Sequence, residues 1–371
     1  MKYLITGGGT GGHIYPALAI ANEIKRIHSD ADILYIGTKN GLESKLVPKA
    51  GYKFKTIRVK GMTRKINKSF FISLRELLYG LGDAKRILKE YKPDIVIGTG
   101  GYVSGPVVFI AKLLKIPALI HEQNAFPGIT NKILSRYVDR VAITYDDALK
   151  YFKYPDKVVN TGNPIRHEFL EINKPLAYKK LDIDPNKPFI FSFGGSGGQK
   201  KLNECFYEII KYYNRENEFK LQLIHVTGTR LYDDFTNKLK KDGIILKPYI
   251  RVLPYFYDMP EALNIADIVI TSAGAITLSE ISAVGVASIL IPKAYTAENH
   301  QEYNARTFET NEASVMILEK DLDYTKLKYT IEELIGDKGK LKKIAVNSKK
   351  MGKDNASSLI VSEIDKLLKK E

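Results

Sequence analysis

The stretch MKYLITGGGTGGHIYPALAIANEIKR, residues 1–26, changes its apolar period twice. KYLIT (2–6) is a short, nearly unbroken apolar run, the pattern of a strand buried on both faces. GGGTGGH (7–13) sets five glycines around one threonine and ends on a histidine. IYPALAIANEIKR (14–26) then takes up helical spacing. Strand, glycine turn and helix make one step of a doubly wound α/β sheet. Glycines permit positive φ and a close approach to the backbone. The helix start adds free N–H groups and a positive dipole end, which suits an anion. Tight strand-to-helix packing alone would produce the same turn.

The pattern repeats outward from there. Apolar runs recur at DILYIG (32–37), DIVIGTG (94–100), PALIHEQ (117–123) and RVAITY (140–145). A second series follows at PFIFSFGG (188–195), LQLIHVTG (221–228), DIVITSAG (267–274), ASILIP (287–292) and SVMILE (314–319). Helical patterns separate them, so two parallel sheets are expected. The joint falls in the Pro-, Asn- and charge-rich residues 161–188. The second series has its own glycine turn, GGSGG (194–198), and a third turn of small residues lies in SAGAITLSE (272–280). None has the G-x-G-x-x-G spacing of a dinucleotide site, nor the acidic residue about 20 positions on. Three such turns in two domains suggest phosphate held at helix N-termini in a cleft. The expected division is residues 1–163, then 164–345, then a helix in 346–371 that packs back on the first domain.

The chain has 371 residues, a hydrophobic fraction of 44% and a net charge of +15. The basic excess favours an anionic partner. An RNP-like aromatic pair, a KH loop and a zinc finger are all missing from the sequence, so no nucleic-acid partner is expected. The single cysteine, Cys205, lies in a helical pattern and reads as a packing residue. With no partner in the chain, it suits a reducing compartment. KYLIT leads straight into glycines, leaving no apolar signal segment, and no run is long enough to span a bilayer. The histidines are dispersed and no DxD motif ends a strand, so neither a metal nor a cofactor is expected.

Seven motifs in order carry a resemblance: GGGTGGHIYPALAIA, GTGGYVSGPV, HEQNAFPGITNK, TGNPIR, GGSGG, SAGAITLSEISAVGVASILIP and NHQEYNAR. From residue 2 to about 310 the chain resembles the family 28 glycosyltransferases of bacterial peptidoglycan synthesis. These add N-acetylglucosamine to undecaprenyl-diphospho-N-acetylmuramoyl-pentapeptide. The resemblance implies a GT-B fold, two Rossmann-like doubly wound parallel-sheet domains with an interdomain cleft. It also implies UDP-N-acetylglucosamine as donor and the polyprenyl-diphosphate-linked muramoyl-pentapeptide as acceptor. The sugar would pass with inversion to the muramoyl 4-hydroxyl. A nucleotide-sugar 2-epimerase would share the fold and the UDP site, but GGYVSGP and HEQN argue against it.

An inverting transfer needs a base on the hydroxyl and donors or positive charge at the departing diphosphate. His13 is the natural base, and His121 and Glu122 are its rivals at a strand end. His13 could instead cap the helix, and HEQN could instead order neighbouring loops. Residue by residue, the resemblance places Thr10, Gly11, Gly12 and Asn124 at the nucleotide-sugar. It puts Arg166 on the donor, Ser196 beside the diphosphate and Phe256 beside the uracil. Ala275, Ile276, Thr277, Leu278, Ser279 and Glu280 form the segment at the ribose, with Glu280 accepting from its hydroxyls. Gln301 would bind the sugar, and Gly101, Tyr102 and Ser104 the acceptor. Asn299 stands where the family usually has Asp.

Residues 53–92 hold twelve Lys and Arg against three acids, around the apolar Phe70, Phe71, Leu74, Leu77, Leu78 and Leu81. Apolar side chains bordered by cations suit an anionic membrane surface. A helix packing its apolar face on the core would show the same composition. The expected location is peripheral, on the cytoplasmic face of the cell membrane.

Overall fold

The computed structural model describes residues 1–61, 67–195, 197–215 and 221–369. The chain divides into two compact units, Met1–Ile165 with Lys353–Glu371, and Arg166–Gly352. The first unit holds strands β1 (Lys2–Thr6), β2 (Asp32–Gly37), β3 (Lys53–Thr56), β4 (Ile95–Gly98), β5 (Ala118–Glu122), β6 (Arg140–Ile143) and β7 (Val158–Asn160). Its first helices are α1 (Gly11–Ile27), α2 (Glu43–Lys49), α3 (Lys68–Tyr91), α4 (Gly101–Leu113) and α5 (Ile129–Leu134). All pairings are parallel, in the order β3-β2-β1-β4-β5-β6-β7.

The second unit holds β8 (Phe189–Phe193), β9 (Gln222–Val226), β10 (Ile250–Leu253), β11 (Ile268–Thr271), β12 (Ala287–Leu290) and β13 (Val315–Met316), in the parallel order β10-β9-β8-β11-β12-β13. Its helices are α6 (Lys174–Lys180), α7 (Lys200–Arg215), α8 (Tyr232–Lys241), α9 (Met259–Ile265), α10 (Ala275–Val284), α11 (His300–Thr310), α12 (Tyr324–Gly336) and α13 (Lys338–Met351). The last helix, α14 (Ala356–Leu368), belongs to the first unit. There Ile360, Val361 and Ile364 join the core beside Ile20 and Ile24 of α1, and Asp365 accepts from His28 Nε2 at 3.0 Å.

Both sheets reverse their strand order beside the first strand, at β1/β4 and at β8/β11. In open α/β sheets the crevice beyond the strand ends at this point is where ligands bind. The glycine turns lie there. β1 leads into GGGTGG and β4 into Gly100–Gly101; β8 leads into the turn at Gly194 and β11 into Ser272–Gly274.

The expected strands are present, joined by three that the apolar runs did not disclose: β3, β7 and β10. These are edge strands. Lys53–Thr56 and Val158–Asn160 have no fully buried residue, and Ile250–Leu253 alternates buried with half-buried. Helix α3 divides along its length. Ala84, Ile87 and Leu88 enter the core, whereas Phe71 and Leu78 are each 62% exposed and Leu74 and Tyr79 are also open to solvent. Two of the basic residues, Arg64 and Lys65, lie outside the described residues. Among the described residues no helix is long and apolar enough to cross a membrane.

Candidate active site

In the first unit the groups converge on His13, at the start of α1. Its Nδ1 lies 3.0 Å from the Thr99 carbonyl and 3.1 Å from Gln123 Oε1. The Gln123 amide is oriented by what surrounds it. Its Nε2 faces the carbonyls of Thr99 (2.8 Å) and His121 (3.1 Å) and His121 Nδ1 (2.9 Å). His121 Nε2 faces the Gly162 carbonyl at 3.0 Å. Each step fixes the next. The carbonyl demands a proton on His121 Nε2, so His121 Nδ1 accepts from Gln123. Gln123 therefore offers its oxygen to His13, and the His13 proton sits on Nδ1. Nε2 is left as the basic nitrogen of His13, on a half-buried ring. Glycine is required around it: a Cβ on Gly100 would lie 2.9 Å from Nδ1, and one on Gly101 2.2 Å from the Gly8 carbonyl.

The rivals are committed elsewhere. His121 is fully buried, and burial pushes its pKa down to about 4, so it stays neutral at pH 7. Glu122 is buried at the end of β5. Its Oε1 accepts from the N–H and side chain of Asn124 (3.0 and 3.1 Å), and its Oε2 from Gly128 N–H (3.1 Å) and Asn131 Nδ2 (2.9 Å). Glu122 thus ties the 124–131 segment to the end of β5, and His121 orients Gln123. Among the residues expected to bind the acceptor, Tyr102 is partly exposed and lies over Gly9, where a Cβ would be 3.0 Å from the ring. Ser104 is fully buried and donates to the Gly101 carbonyl at 3.0 Å, bracing α4 from inside. Thr10 is the exposed N-cap of α1 and makes no capping bond, with Gly11 and Gly12 beside it.

In the second unit Glu280, on α10, is buried, with Arg166 Nη2 at 3.5 Å. Burial raises its carboxyl to about 7, against the pull of Arg166. Arg166 also holds Glu168 (2.6 Å) and stacks 4.8 Å from the Phe169 ring. Gly274 caps α10 without a side-chain bond, so the N–H groups of Ala275, Ile276 and Thr277 start the helix. Leu278 is fully buried and Ser279 donates back to Ala275, so these two side chains point into the fold. Phe256 is buried against Phe191, with ring centres 5.2 Å apart. Gln301 accepts from Lys293 N–H at 3.0 Å, and Asn299 donates to Glu302 at 2.6 Å. Ser196 lies outside the described residues.

Two cations at the second glycine turn were missed in the sequence because they sit far from it. Lys293 Nζ donates to the Gly198 carbonyl at 2.8 Å, and Arg230 Nη2 lies 3.1 Å from where a Gly197 Cβ would be. Burial pushes Lys293 below the usual lysine range; Glu319 opposes the shift and Arg230 adds to it. Cys205 is buried in the core with its thiol pushed up to about 11, which makes it a poor nucleophile. Among the described residues no three His, Cys, Asp or Glu side chains are grouped to hold a metal.

The chain matches the model of the glycosyltransferase family 28 N-terminal domain over residues 3–143 and that of the family 28 C-terminal domain over residues 189–360. It belongs to glycosyltransferase family 28. As a family 28 enzyme it has close relatives along its whole length. The UDP-N-acetylglucosamine--N-acetylmuramyl-(pentapeptide) pyrophosphoryl-undecaprenol N-acetylglucosamine transferase of Acetivibrio thermocellus is 50% identical, covering 100% of this chain and 99% of its own. The protein of that name from Finegoldia magna is 49% identical with the same coverage. The crystal structure of Acinetobacter baumannii MurG is 28% identical, with a TM-score of 0.78 over 98% of this chain and 99% of that one. The fold class is GT-B, with a doubly wound parallel sheet in each unit. A UDP-GlcNAc 2-epimerase from Neisseria meningitidis superposes with a TM-score of 0.70 over 99% of this chain and 100% of its own, at 15% identity, a likeness of fold alone.

Proposed function

We propose that this family 28 enzyme transfers N-acetylglucosamine from UDP-N-acetylglucosamine to the 4-hydroxyl of a polyprenyl-diphosphate-linked N-acetylmuramoyl-pentapeptide, with inversion. The observation that carries this reading is the 45–50% identity, over 96–100% of this chain, to transferases of that name. In this reading the first unit serves the acceptor. His13 Nε2 takes the hydroxyl proton as the oxygen attacks the anomeric carbon. The ring becomes an imidazolium whose Nδ1–H already points at two acceptors, Thr99 O and Gln123 Oε1. The second unit serves the donor. Glu280 accepts from the ribose hydroxyls, and Arg166 supplies a fork of donors. Lys293, Arg230 and the N–H groups at the starts of α7 and α10 stabilise the negative charge on the departing diphosphate. The bond to the UDP oxygen breaks as the new glycosidic bond forms, so UDP leaves with the electron pair.

Helix α3 meets the bilayer in this reading, from the cytoplasmic side. The exposed Phe71, Leu74 and Leu78, flanked by Lys68 and Arg75, support it, because an acceptor with a polyprenyl tail is met at a membrane. The test is labelled UDP-N-acetylglucosamine with a short-chain lipid acceptor, scored for labelled disaccharide lipid. Hydrolysis or epimerisation of the donor without transfer would overturn the assignment.

A further inference from the structure

The first glycine turn is shaped by a carboxylate 34 residues further along the chain. Glu43, the first residue of α2, is fully buried. Its Oε1 accepts from the N–H and hydroxyl of Thr38 (3.0 and 2.6 Å), and its Oε2 accepts from Gly9 N–H (3.3 Å). All three donors are neutral. Three glycines, one in the β1–α1 turn, one at the end of β2 and one before α2, make room for this side chain. A Cβ on Gly8 would lie 2.7 Å from the carboxyl carbon, one on Gly41 2.2 Å from Oε1, and one on Gly37 2.5 Å from Cγ. None of the three is among the positive-φ glycines, so space rather than backbone conformation excludes a side chain there.

A carboxylate accepting N–H bonds inside a strand–glycine–helix turn takes the seat that a bound anion has in such turns. Gly9 N–H therefore points into the protein. Gly9 itself, at φ +86°, is held between that carboxylate and the Tyr102 ring. Two residues before Gly9, Tyr35 braces the turn by donating to the Gly7 carbonyl at 2.8 Å. Four residues after Gly9, α1 presents His13.

We propose that Glu43 is a positioning residue: its carboxylate fills the anion seat of the β1–α1 turn and, by holding Gly9, sets where α1 begins and where His13 presents Nε2. The proposal rests on the transfer reaction and the part assigned to His13 above. It also implies that substrate meets the turn through Thr10, Gly11 and Gly12 and not through Gly9 N–H.

Glu43→Gln is the discriminating variant. The carboxamide keeps the volume and can keep its oxygen on both Thr38 donors, but it then turns an NH2 toward Gly9 N–H. One bond is lost and the rest remain. Two readouts are needed, amide exchange of Gly9 by NMR and steady-state transfer to the lipid acceptor. The expected result is Gly9 exchange faster by about tenfold or more and kcat lower by about 10- to 100-fold, the usual consequence of a misplaced catalytic group. Affinity for UDP should stay within about twofold, since the second unit is read as the nucleotide site. Glu43→Asp, which keeps the charge but shortens the reach, should fall between Gln and wild type in both readouts, and it replaces Gln if the amide does not fold. Faster Gly9 exchange with unchanged kcat would reduce Glu43 to a structural residue, and unchanged exchange would overturn its hold on the turn. A wild-type protein that transfers no sugar would defeat the reading of the reaction, and Gly9 exchange would still judge the grip of Glu43 on the turn.

Discussion

The turns GGTGG (8–12) and GGSGG (194–198) are nearly the same five residues at the same place in two doubly wound sheets, yet opposite charges lie against them. Against the first lies the Glu43 carboxylate, with His13 at its end. Against the second lie Lys293, bound to the Gly198 carbonyl, and Arg230. The second turn thus has two cations beside it, while the first has a carboxylate on Gly9 N–H and an imidazole at its end. Glycines in such a turn signal a close approach. Side chains from distant parts of the chain decide what approaches, and in the first turn part of that approach comes from the protein itself.

The comparison breaks most visibly at His13. If the first turn serves proton transfer and the second the nucleotide, His13→Ala should lower single-turnover transfer about 10²- to 10⁴-fold. UDP affinity by calorimetry should be unchanged. Retention of more than about a tenth of the wild-type rate would remove His13 as the base, since general-base catalysis is worth more than that.

The reciprocal change is Lys293→Met. Losing a charged hydrogen bond to phosphate should weaken UDP by about 1.5 to 3 kcal/mol. Uridine, which has no phosphate, should bind as before. Equal losses for both ligands would mean that Lys293 supports the turn without touching the diphosphate.

Glu280 sharpens the same half of the comparison through pH. Its carboxyl, raised to about 7 by burial, is largely protonated below that value, and a ribose diol donates best to the ionised form. Uridine affinity should therefore rise as pH increases from about 6 to about 8, by roughly tenfold, the ratio of the ionised fractions. Glu280→Gln should abolish that dependence. A flat profile in the wild type would detach Glu280 from the ribose. Uridine is the ligand to use because the phosphates of UDP titrate in the same range.

The last test concerns the first unit alone, at helix α3. Lys68→Glu with Arg75→Glu should loosen binding to anionic vesicles by about 1 kcal/mol for each cation removed. Transfer to a soluble acceptor analogue should survive. Vesicle binding that stays the same would leave the exposed Phe71, Leu74 and Leu78 without a membrane role.

Strands β1, β4, β5, β8, β11 and β12 were legible in the sequence because each is covered on both faces and so reads as a continuous apolar run. The edge strands β3, β7 and β10 were not. An edge strand keeps polar residues on its open side, and KFKT or VVN carries too little apolar signal to stand out. The chain returns to the first unit at Lys353, after α13, whereas the sequence reading put the start of the returning segment at residue 346. Lys338–Met351 and Ala356–Leu368 are both amphipathic, and periodicity alone does not say which core each apolar face meets.

The sequence by itself determined the parallel α/β layout, the glycine turns, the membership of residues such as His13 and Glu280 in ordered motifs, and the basic, apolar character of residues 53–92. These are local properties, set by period, by glycine and by composition within a few residues. Tertiary structure alone decided what each motif does with its atoms. Gly162 O, beyond β7, meets His121 and Gln123, at the end of β5, to leave Nε2 as the basic nitrogen of His13. Glu43 enters the first turn from α2, and Lys293 and Arg230 reach the second from beyond β12 and β9. Proton positions and local charge depend on distances of about 3 Å between groups far apart in the chain, and only the folded arrangement of parallel strands brings those groups together.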